Sequence, residues 1–510
     1  MYDYIIVGAG SAGCVLANRL SVDPTVRICL LEAGPKDSSP MIHAPAGVAW
    51  LMNSPWLNWH YNTGQEKNLN GRRLFWPRGK TLGGCSSSNG MIYIRGHKYD
   101  YDHWESLGNK GWSYKDILPY FKRAQHQERG EDKFHGAGGP LNVQDIEIKN
   151  KLCAAFVSAG LEAGYKENND FNGEDQEGVG FYQVTQKKGR RWSTAQAYLR
   201  EAEKRHNVTV ITKAQVTNVI LEGKRAVGIN YIQKGKEYSM TANYEVILCG
   251  GAINSPQLLM LSGIGPKQEV EKHKIKLQHE LPGIGRNLQD HLDVLMVQKS
   301  TKPWSYGFTF KSLLLDPVYN LYQYYIKNRG VISTIGNESG GFIKSEKTED
   351  VPDLQIHFGC AKYRDHARDF KFMFGHGYSM HICDLRPKSR GYIALNSSNP
   401  LDPPHIEANY LNDVRDMEKM VKAVKISQTI LDTPTFKKLN SGGLIPASPL
   451  KTDNEIRSFI REHAESIYHP VGTCKMGKDS MACLLYTLAA ADDMQCVVLG
   501  GFRLLTQIKI

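Results

Sequence analysis

Long apolar runs are missing from this sequence. No segment approaches the roughly 18 apolar residues that a membrane-spanning helix needs, which excludes an integral membrane protein. The N-terminus has no basic stretch followed by an apolar core, so no secretory signal peptide is predicted. No segment is of low complexity. A chain of 510 residues is then expected to fold as one to three domains with a large core.

Cysteine pairs are also missing. The ten cysteines are scattered without a Cys-x-x-Cys pair, so neither a zinc ribbon nor a disulfide framework is indicated, and no metal site is predicted. We expect most of them to be small buried side chains in a protein of the reducing cytosol. They are Cys14, Cys29, Cys85, Cys153, Cys249, Cys360, Cys383, Cys474, Cys483 and Cys496.

The charged residues are not concentrated in any one segment. There are 63 Lys and Arg against 52 Asp and Glu, a net charge of +11, and the densest short basic run is residues 187–191. A nucleic-acid-binding module would show a basic stripe on a recognisable motif, so no nucleic-acid partner is predicted. Attraction to anionic lipid or to an acidic protein fits this mild excess better.

The sequence does contain a strand–turn–helix–strand pattern at its start. Residues 4–7 form a short apolar run that predicts a buried parallel strand, and residues 14–20 predict a helix. Residues 26–31 predict a second buried strand, which ends at Glu32. The turn at residues 8–13 reads Gly-x-Gly-x-x-Gly.

This glycine turn predicts dinucleotide binding. Gly8 permits the tight turn, Gly10 lets the backbone approach a pyrophosphate, and Gly13 lets helix and strand pack closely. The helix N-terminus then offers N–H groups to the phosphates. Glu32, 19 residues after Gly13, is placed to bind ribose hydroxyls, which favours FAD or NAD over a 2′-phosphorylated cofactor.

Two further segments predict backbone held close to a flat ligand. Residues 78–90 are rich in glycine and serine, and apolar residues 91–94 anchor them in the core. A buried strand at 244–249 opens onto a second glycine turn at 250–256, followed by a helix at 257–262. The chain is therefore expected to return to the cofactor domain at these later residues.

Other segments predict antiparallel structure. Strands at 208–211, 215–221 and 226–231 suggest a three-stranded meander inserted in the α/β domain. Strands at 294–297, 354–358, 378–383 and 392–395 lack βαβ spacing, which predicts a second domain built on an antiparallel sheet. Helices are expected at 413–431 and 453–465, with Asp453 as a candidate N-cap.

Taken together, these motifs resemble the glucose–methanol–choline (GMC) oxidoreductases, a family of FAD-dependent enzymes. The resemblance rests on residues 8–13 with Glu32, 79–89, 251–266 and 469–474, and on linking phrases at 191–195 and 281–291. It runs from Tyr2 to about Met481. Phrases at 74–81 and 180–186 resemble the branch of bacterial aliphatic alcohol dehydrogenases, near choline dehydrogenase.

The resemblance implies a set of FAD-binding residues. Some would hold the pyrophosphate and ribose, others would line the flavin, and one would contact the adenine through its backbone. The residues are Gly8, Gly10, Ser11, Gly13, Glu32, Thr81, Gly84, Cys85, Asn89, Gly90, Met91, Ile92 and Val216. Some relatives attach FAD covalently through a histidine at the place of Ser88, so the resemblance implies noncovalent FAD here.

The resemblance also implies that His469 is the catalytic residue. An alcohol Cα–H would leave as hydride to flavin N5 while the hydroxyl loses a proton, and a positioned imidazole can accept that proton. His291 and His381 are interpreted as structural.

The sequence departs from the family after about Met481. The resemblance implies that a strand ending in aspartate, a phrase with a second active-site His or Asn, and a closing helix should follow. No His or Asn occurs after His469, and a frameshift or a divergent tail would explain the departure. A catalytically impaired flavoprotein is therefore an alternative function.

The fold prediction is α/β: a Rossmann-like FAD-binding domain with a second α+β substrate domain built on an antiparallel sheet. The FAD-binding domain would comprise residues 1–150, 190–296 and 466–510, and the substrate domain 151–189 and 297–465. The implied reaction is oxidation of a primary alcohol to an aldehyde, with electrons passed to a quinone-type or other acceptor. A choline dehydrogenase and an oxygen-using alcohol oxidase are alternatives.

The expected location is cytoplasmic, with peripheral contact to the cytoplasmic membrane as an open alternative. An aromatic and basic stretch at residues 308–327 bears on it. A peripheral membrane-docking segment would have this composition. So would a substrate-domain helix that covers the active site, which we favour.

Overall fold

The computed structural model describes residues 1–147, 149–309 and 316–483, together with the backbone of residues 502–504. Two seven-stranded sheets organise the described chain. We call the first the cofactor sheet and the second the substrate sheet. The prediction for the tail after Met481 falls almost wholly outside the described residues.

The cofactor sheet is parallel on one side and antiparallel on the other. The strand Tyr2–Val7 lies between Ile28–Glu32 and Lys236–Leu248 and pairs in parallel with both. Ile5, Ile6 and Val7 are buried, and so are all five residues of Ile28–Glu32, because helices cover both faces of a parallel sheet. In order across the sheet, the strands are Val208–Thr212, Ile28–Glu32, Tyr2–Val7, Lys236–Leu248, Arg225–Gln233 and Ala214–Glu222, with Phe502–Leu504 paired to Lys236–Leu248.

The predicted meander is wrong in one strand. Val208–Thr212 pairs in parallel with Ile28–Glu32 and forms the edge of the cofactor sheet. The meander instead consists of Ala214–Glu222, Arg225–Gln233 and the first half of Lys236–Leu248. All five residues of Val208–Thr212 are half-buried, so their burial pattern does not distinguish a parallel edge strand from an antiparallel one.

Both predicted glycine-turn helices form, and both begin at the turn itself. Ser11–Leu20 follows Tyr2–Val7, and Gly251–Leu261 follows Lys236–Leu248. Small residues in the first of these helices let it pack closely on the sheet. The two turns also meet, because the Cys249 N–H donates to the Val7 carbonyl at 2.7 Å.

The substrate sheet is antiparallel throughout, as predicted. Its buried face packs against the helices Lys151–Glu162, Val414–Leu431 and Pro434–Leu439, with a core that includes Phe156, Phe358 and Phe436. The strands, in order across the sheet, are Asn440–Ile445, Leu292–Ser300, Gly377–Asp384, Leu354–Gly359, Ser339–Ile343 and Gly178–Phe181, with Glu465–Ser466 paired to Leu292–Ser300.

Two details differ from the sequence prediction of this region. Leu292–Ser300 belongs to the substrate sheet from its first residue, so it crosses the domain boundary predicted at residues 296 and 297. The predicted strand at 392–395 is Tyr392–Ala394, and it pairs only with His405–Glu407 in a separate small sheet. Ile393 and Ile406 pack into the core beneath the cofactor sheet, which draws this pair away from the substrate sheet.

The two late helices form with one corrected cap. Val414–Leu431 begins after Asp413, whose carboxylate accepts from the Arg415 N–H. Asp453–His463 is capped by Thr452, not by Asp453: the Thr452 hydroxyl accepts from the Glu455 N–H, and the Glu455 carboxylate accepts from the Thr452 N–H. This reciprocal capping box satisfies two N–H groups at once.

The remaining elements are short. The other α-helices are Pro40–His43, Val48–Asn53, Lys98–Ser106, Tyr114–Ala124, Arg200–Ala202, Lys267–Lys272 and Pro317–Tyr325. Short 3₁₀ or π turns are Pro45–Gly47, Lys67–Leu69, Gly84–Ser87, Ala195–Leu199, Val331–Ser333, Asp365–Ala367 and Phe370–Met373. Minor strands are Tyr61–Asn62, Phe75–Trp76, Gln125–Gln127, Leu141–Asp145, Gln183–Val184, Gln186–Lys187, Arg190–Arg191, Ile264–Gly265 and His279–Glu280.

The nine described cysteines are free thiols, as the sequence predicts. Seven are buried, and Cys85 and Cys483 are half-buried. Cys496 lies outside the described residues.

Candidate active site

One cavity of about 1810 Å³ connects the two sheets. Gly8, Glu32 and Val216 line one end of it, and His291 and His469 line the other. We call these the glycine end and the histidine end. Of the sequence-predicted site residues, the cavity wall includes Gly8, Gly10, Ser11, Glu32, Gly84, Cys85, Asn89, Gly90, Met91, Ile92, Val216 and His469.

The first glycine turn leaves space where a phosphate would approach. Gly8 has φ +102°, and a Cβ there would lie 2.6 Å from the Cys249 carbonyl oxygen. A Cβ on Gly13 would lie 2.0 Å from the Gly8 carbonyl oxygen. A Cβ on Gly10 would meet nothing closer than 3.9 Å, so its open side faces the cavity. The helix Ser11–Leu20 begins there without a side-chain cap, and Gly10, Ser11 and Ala12 line the cavity.

Glu32 connects the turn to the next loop. One carboxylate oxygen accepts from the Ala9 N–H at 2.9 Å and the other accepts from the Gly34 N–H at 2.8 Å. Burial raises the pKa of Glu32 to about 7 despite these two bonds. The carboxylate is thus fixed at the cavity wall, where it can still accept from a ribose hydroxyl.

The loop at residues 79–92 is held in place from behind by Arg191. The guanidinium is 1% exposed and donates to the Asn89 carbonyl oxygen at 2.7 Å, to the Asn89 side-chain oxygen at 2.8 Å and to the Ile42 carbonyl oxygen at 2.8 Å. Burial lowers the pKa of Arg191 to about 9. Arg191 supports the loop without lining the cavity, and its role was not predicted beyond its place in a family-like phrase.

Gly13 and Thr81 do not line the cavity. Gly13 packs against the Gly8 carbonyl and Leu30. The Thr81 hydroxyl donates to the Pro35 carbonyl oxygen at 2.9 Å, which fastens the loop to the strand that ends at Glu32. Gly13 and Thr81 therefore shape the glycine end from behind the residues that line the cavity.

At the histidine end, His469 and His291 form a pair. Their Nδ1 atoms lie 3.1 Å apart, and the rings meet edge to face at 5.2 Å. The interpretation of His291 and His381 as structural stays a prediction, and both residues line the cavity together with His469. The phrase at 281–291 ends on His291, but a single sequence does not show that it faces His469.

The contact between the two Nδ1 atoms requires opposite roles of the two imidazoles. One ring donates its Nδ1–H and the other accepts at Nδ1. A neutral imidazole carries hydrogen on only one nitrogen, so the ring that donates has an Nε2 that can accept a proton.

Both imidazoles are neutral near pH 7. Burial lowers the pKa of His291 to about 4. Burial, followed by the neighbouring imidazoles of His291 and His357, holds the pKa of His469 well below its usual value of 6.5. His469 lines the open cavity and is exposed to it, and bound ligands would enclose it. A neutral imidazole with a free nitrogen can accept a proton.

Asp290 fixes the backbone of His469. Its carboxylate accepts from the His469 N–H at 2.7 Å, and the Ser466 and Tyr410 hydroxyls donate to it from the other side. Burial raises the pKa of Asp290 to about 6. The guanidinium of Arg78 donates to the Tyr468 carbonyl one residue earlier. None of these supporting residues was predicted, because they act through contacts distant in sequence.

The residues present fit a bound dinucleotide cofactor. Gly10 leaves open space, the uncapped helix start lines the cavity, and Glu32 presents a fixed carboxylate. The same cavity places a neutral imidazole pair at its far end. These features define the class as an oxidoreductase with a dinucleotide-type redox cofactor.

The comparisons with known proteins specify the family. The GMC oxidoreductase N-terminal model matches residues 2–293, and the C-terminal model matches residues 387–485. The chain belongs to the GMC oxidoreductase family, whose members use FAD. It is 50% identical over 482 residues to "Alcohol dehydrogenase [acceptor]" of Pseudomonas putida, covering 94% of this chain and 87% of that protein. It is 42% identical to the mitochondrial choline dehydrogenase of Homo sapiens, covering 98% and 84% of the two chains.

Solved structures agree with the fold. Pyridoxine 4-oxidase from Mesorbium loti superposes with a TM-score of 0.84 at 30% identity, covering 94% of this chain and 90% of that one. A formate oxidase superposes with a TM-score of 0.84 at 25% identity, covering 94% and 89%. These matches confirm the predicted α/β fold with its second antiparallel domain. Within the described ranges, no helix is long and apolar enough to span a lipid bilayer.

Proposed function

We propose that the chain oxidises a primary alcohol to an aldehyde with noncovalently bound FAD. The observation that carries this proposal is one cavity with a dinucleotide turn at one end and the His469–His291 pair at the other. Gly10, the start of the helix Ser11–Leu20 and Glu32 would hold the pyrophosphate and ribose, and residues 84–92 would face the ring system. Bound FAD supplies the redox step by accepting a hydride.

The chain's own residues would manage the proton. The alcohol hydroxyl would give its proton to the Nε2 of His469, in the tautomer whose Nδ1–H donates to His291. That hydrogen bond would persist throughout, so the ring would keep its orientation as its charge changes. The backbone bond to Asp290 fixes the position of the same residue. Orientation of this kind is what a general base needs.

The substrate we favour is a medium-chain aliphatic alcohol. Aromatic and apolar side chains line the wall beyond the histidines, among them Tyr306, Phe308, Tyr363, Phe370 and Met373. Two carboxylates, Asp293 and Glu465, lie nearby, but His381 and His366 engage them. A quaternary ammonium head would have to compete with these imidazoles. The relative named alcohol dehydrogenase, at 50% identity, supports the same choice over choline.

The electron acceptor we propose is a quinone reached at a membrane surface. Pro317–Tyr325 covers the cavity, where Leu321 and Tyr324 line the wall, and the Tyr324 hydroxyl donates to the His43 carbonyl. Val318 and Tyr319, which do not line the cavity, are exposed by 80% and 61%. In this proposal the helix would combine the two roles that the sequence left as alternatives. Residues 310–315 of that predicted stretch lie outside the described residues.

The test of cofactor and substrate uses the purified protein. We expect a yellow protein whose flavin stays in the supernatant after acid precipitation, because Ser88 cannot form a histidyl–flavin bond. Flavin in the pellet would contradict noncovalent binding. A competition assay with choline and a linear alkanol, using an artificial electron acceptor, should give the higher kcat/KM for the alkanol.

A second candidate function is a catalytically impaired flavoprotein. The observation that favours it is the sequence after Met481, which contains no histidine or asparagine to complement His469. The loss of one proton-transfer or hydrogen-bonding group typically costs about 10²- to 10⁴-fold in rate.

The two candidates are separated by a graft. A family-like tail placed after Met481 should raise alcohol turnover by orders of magnitude over the unaltered chain. Equal turnover of the two proteins would refute impairment and leave the alcohol dehydrogenase proposal standing.

A further inference from the structure

Two carboxylates face each other just before the His469 turn. Asp293 in Leu292–Ser300 pairs directly with Glu465 in Glu465–Ser466. The Asp293 side chain is 1% exposed. Like charges directly opposite each other on antiparallel strands destabilise a sheet, so this pair needs a compensating cation.

His366 occupies the place of that cation. Its Nδ1 lies 3.1 Å from a Glu465 carboxylate oxygen, and its Nε2 lies 4.0 Å from an Asp293 carboxylate oxygen. The Tyr468 hydroxyl lies 2.9 Å from the same Nδ1. The Nδ1 of His381 hydrogen-bonds to the same Asp293 oxygen, and its ring stacks on that of His366 at 5.1 Å. One imidazole thus contacts both acids and the residue next to His469.

The backbone around His366 is held in an unfavourable conformation. Asp365, His366 and Ala367 have φ values of +50°, +48° and +65°, and Tyr468 has φ +68°. Non-glycine residues adopt this region only when their surroundings impose it. The contacts of His366 with Glu465 and Tyr468 supply such a constraint and join two strained segments.

The segment that carries His366 forms part of the cavity wall. His366, Ala367, Phe370 and Met373 all line it. Phe370 and Phe374 are exposed by 41% and 49%, so the segment has little buried apolar surface of its own to hold it down. We call residues 365–374 the His366 segment.

We propose that His366 is a positioning residue: as the cation shared by Asp293 and Glu465, it pins the His366 segment against the turn that carries Tyr468 and His469. The proposal concerns the site of the proposed alcohol oxidation and rests on that function for its purpose. Nothing in it requires turnover, because the contact joins parts of the chain that are all present.

The contact of His366 with Asp293 and Glu465 has a defined pH dependence. Burial disfavours the charged imidazole, but the hydrogen bond to Glu465 and the charge of Asp293 outweigh it and raise the pKa of His366 above 6.5. The pKa of Glu465 is lowered by the same contact, against its burial. A raised histidine pKa gives stability at acidic pH that is lost as pH rises through it. The groups that face His366 are Asp365, Arg368, Asp293, His381, Glu465 and Tyr468, with Arg72 behind Glu465.

The test is limited proteolysis of the full chain with trypsin, which can cut at Arg364, Arg368 and Lys371 within or beside the segment. Cleavage would be followed by intact mass from about pH 6 to about pH 9 in the unaltered chain, His366→Gln and His206→Gln. His206 is exposed and lies away from the cavity, so its variant corrects for the pH dependence of trypsin. One proton controls at most about a tenfold change per pH unit.

We expect cleavage of the unaltered chain to rise with pH about tenfold beyond the trypsin correction, in parallel with His206→Gln. His366→Gln should be cut rapidly at every pH, and adding Glu465→Gln to it should change nothing further. Flavin absorbance and circular dichroism confirm that the variants fold, with His366→Asn as a second replacement. Equal, pH-independent protection of all variants would overturn the proposal. So would a stoichiometric divalent metal that is lost in His366→Gln. If proteolysis behaves as expected but no alcohol is oxidised, the proposed function fails while the positioning role of His366 is retained.

Discussion

The two ends of the cavity are built in opposite ways. At the glycine end, backbone meets backbone: Gly8, Gly13 and Cys249 are packed so closely that a single Cβ would clash. At the histidine end, five imidazoles converge from five separate segments, those of His291, His357, His366, His381 and His469. The glycine end is therefore intolerant of added atoms, whereas the histidine end depends on charge and hydrogen-bond direction.

Removal of the imidazole at position 469 should have the largest effect on rate. In the version with a family-like tail, His469→Ala should lower kcat by about 10²- to 10⁴-fold, because the proton acceptor is lost. FAD content should stay unchanged, since the glycine end is untouched. Steady-state kinetics with one alkanol, alongside flavin absorbance, checks both. Loss of FAD together with activity would show that the two ends are not independent.

The glycine end should respond to an added methyl group according to position. Gly13→Ala places a Cβ 2.0 Å from the Gly8 carbonyl oxygen, so the apo protein should lose about 1–3 kcal/mol of stability. Gly10→Ala meets open space, so apo stability should change by less than about 0.5 kcal/mol. Its FAD affinity should nevertheless fall, because the methyl group occupies the expected phosphate position. Chemical denaturation and flavin titration measure the two effects, and an inverted pattern would contradict the assignment.

Loss of the partner imidazole should cost less than loss of His469. In the version with a family-like tail, His291→Ala removes the hydrogen-bond partner of the His469 Nδ1, so the ring loses its fixed orientation and kcat should fall about tenfold or more. His206→Gln, a remote histidine, serves as the matched control. Unchanged kcat in His291→Ala would show that the pair has no role in proton transfer.

The pH profile should reflect the neutral histidine pair. The pKa of His469 lies below its usual 6.5. The plateau of kcat/KM should therefore extend to pH values below 6.5, and kcat/KM should fall only as the pH drops through that lowered pKa. The fall has this sign because protonation removes the base. Rates of the tail-grafted protein and of its His291→Ala variant are measured across acidic buffers. The acidic limb of the profile should lie at higher pH in the His291→Ala variant. A limb centred above 6.5 in the parent would contradict this electrostatic account.

The smallest effect is expected at Thr81. Its hydroxyl bonds to the Pro35 carbonyl and does not line the cavity, so Thr81→Ala should cost about 1 kcal/mol of stability with FAD affinity unchanged. The resemblance instead implies direct contact with the cofactor. Parallel denaturation and flavin titration decide between the two, since a drop in affinity alone would support the sequence-based prediction.

The same contrast explains what could be predicted from sequence. The glycine turn, Glu32 and the strand before them are neighbours in the chain, so their spacing alone predicts the arrangement. The partnership of His291 with His469, and the contacts of Asp290 and His366, join residues far apart in sequence. Val208–Thr212 was misplaced for a related reason, because an edge strand with uniform half-burial carries no sign of its partner. Thr452 was missed as a cap because Asp453 beside it suits the role equally well.

The strand Lys236–Leu248 has a consequence for how the domain unfolds. Its first half closes the antiparallel meander, and its second half is a central parallel strand that ends at Cys249 and the second glycine turn. The halves are continuous in the chain, and a shift of register against Tyr2–Val7 between Ala242 and Glu245 marks where they meet. The meander and the glycine end therefore share one strand. The meander and the glycine end should lose amide protection as a single cooperative unit in hydrogen exchange. A ligand bound at the glycine end should then slow exchange in the distant meander as well.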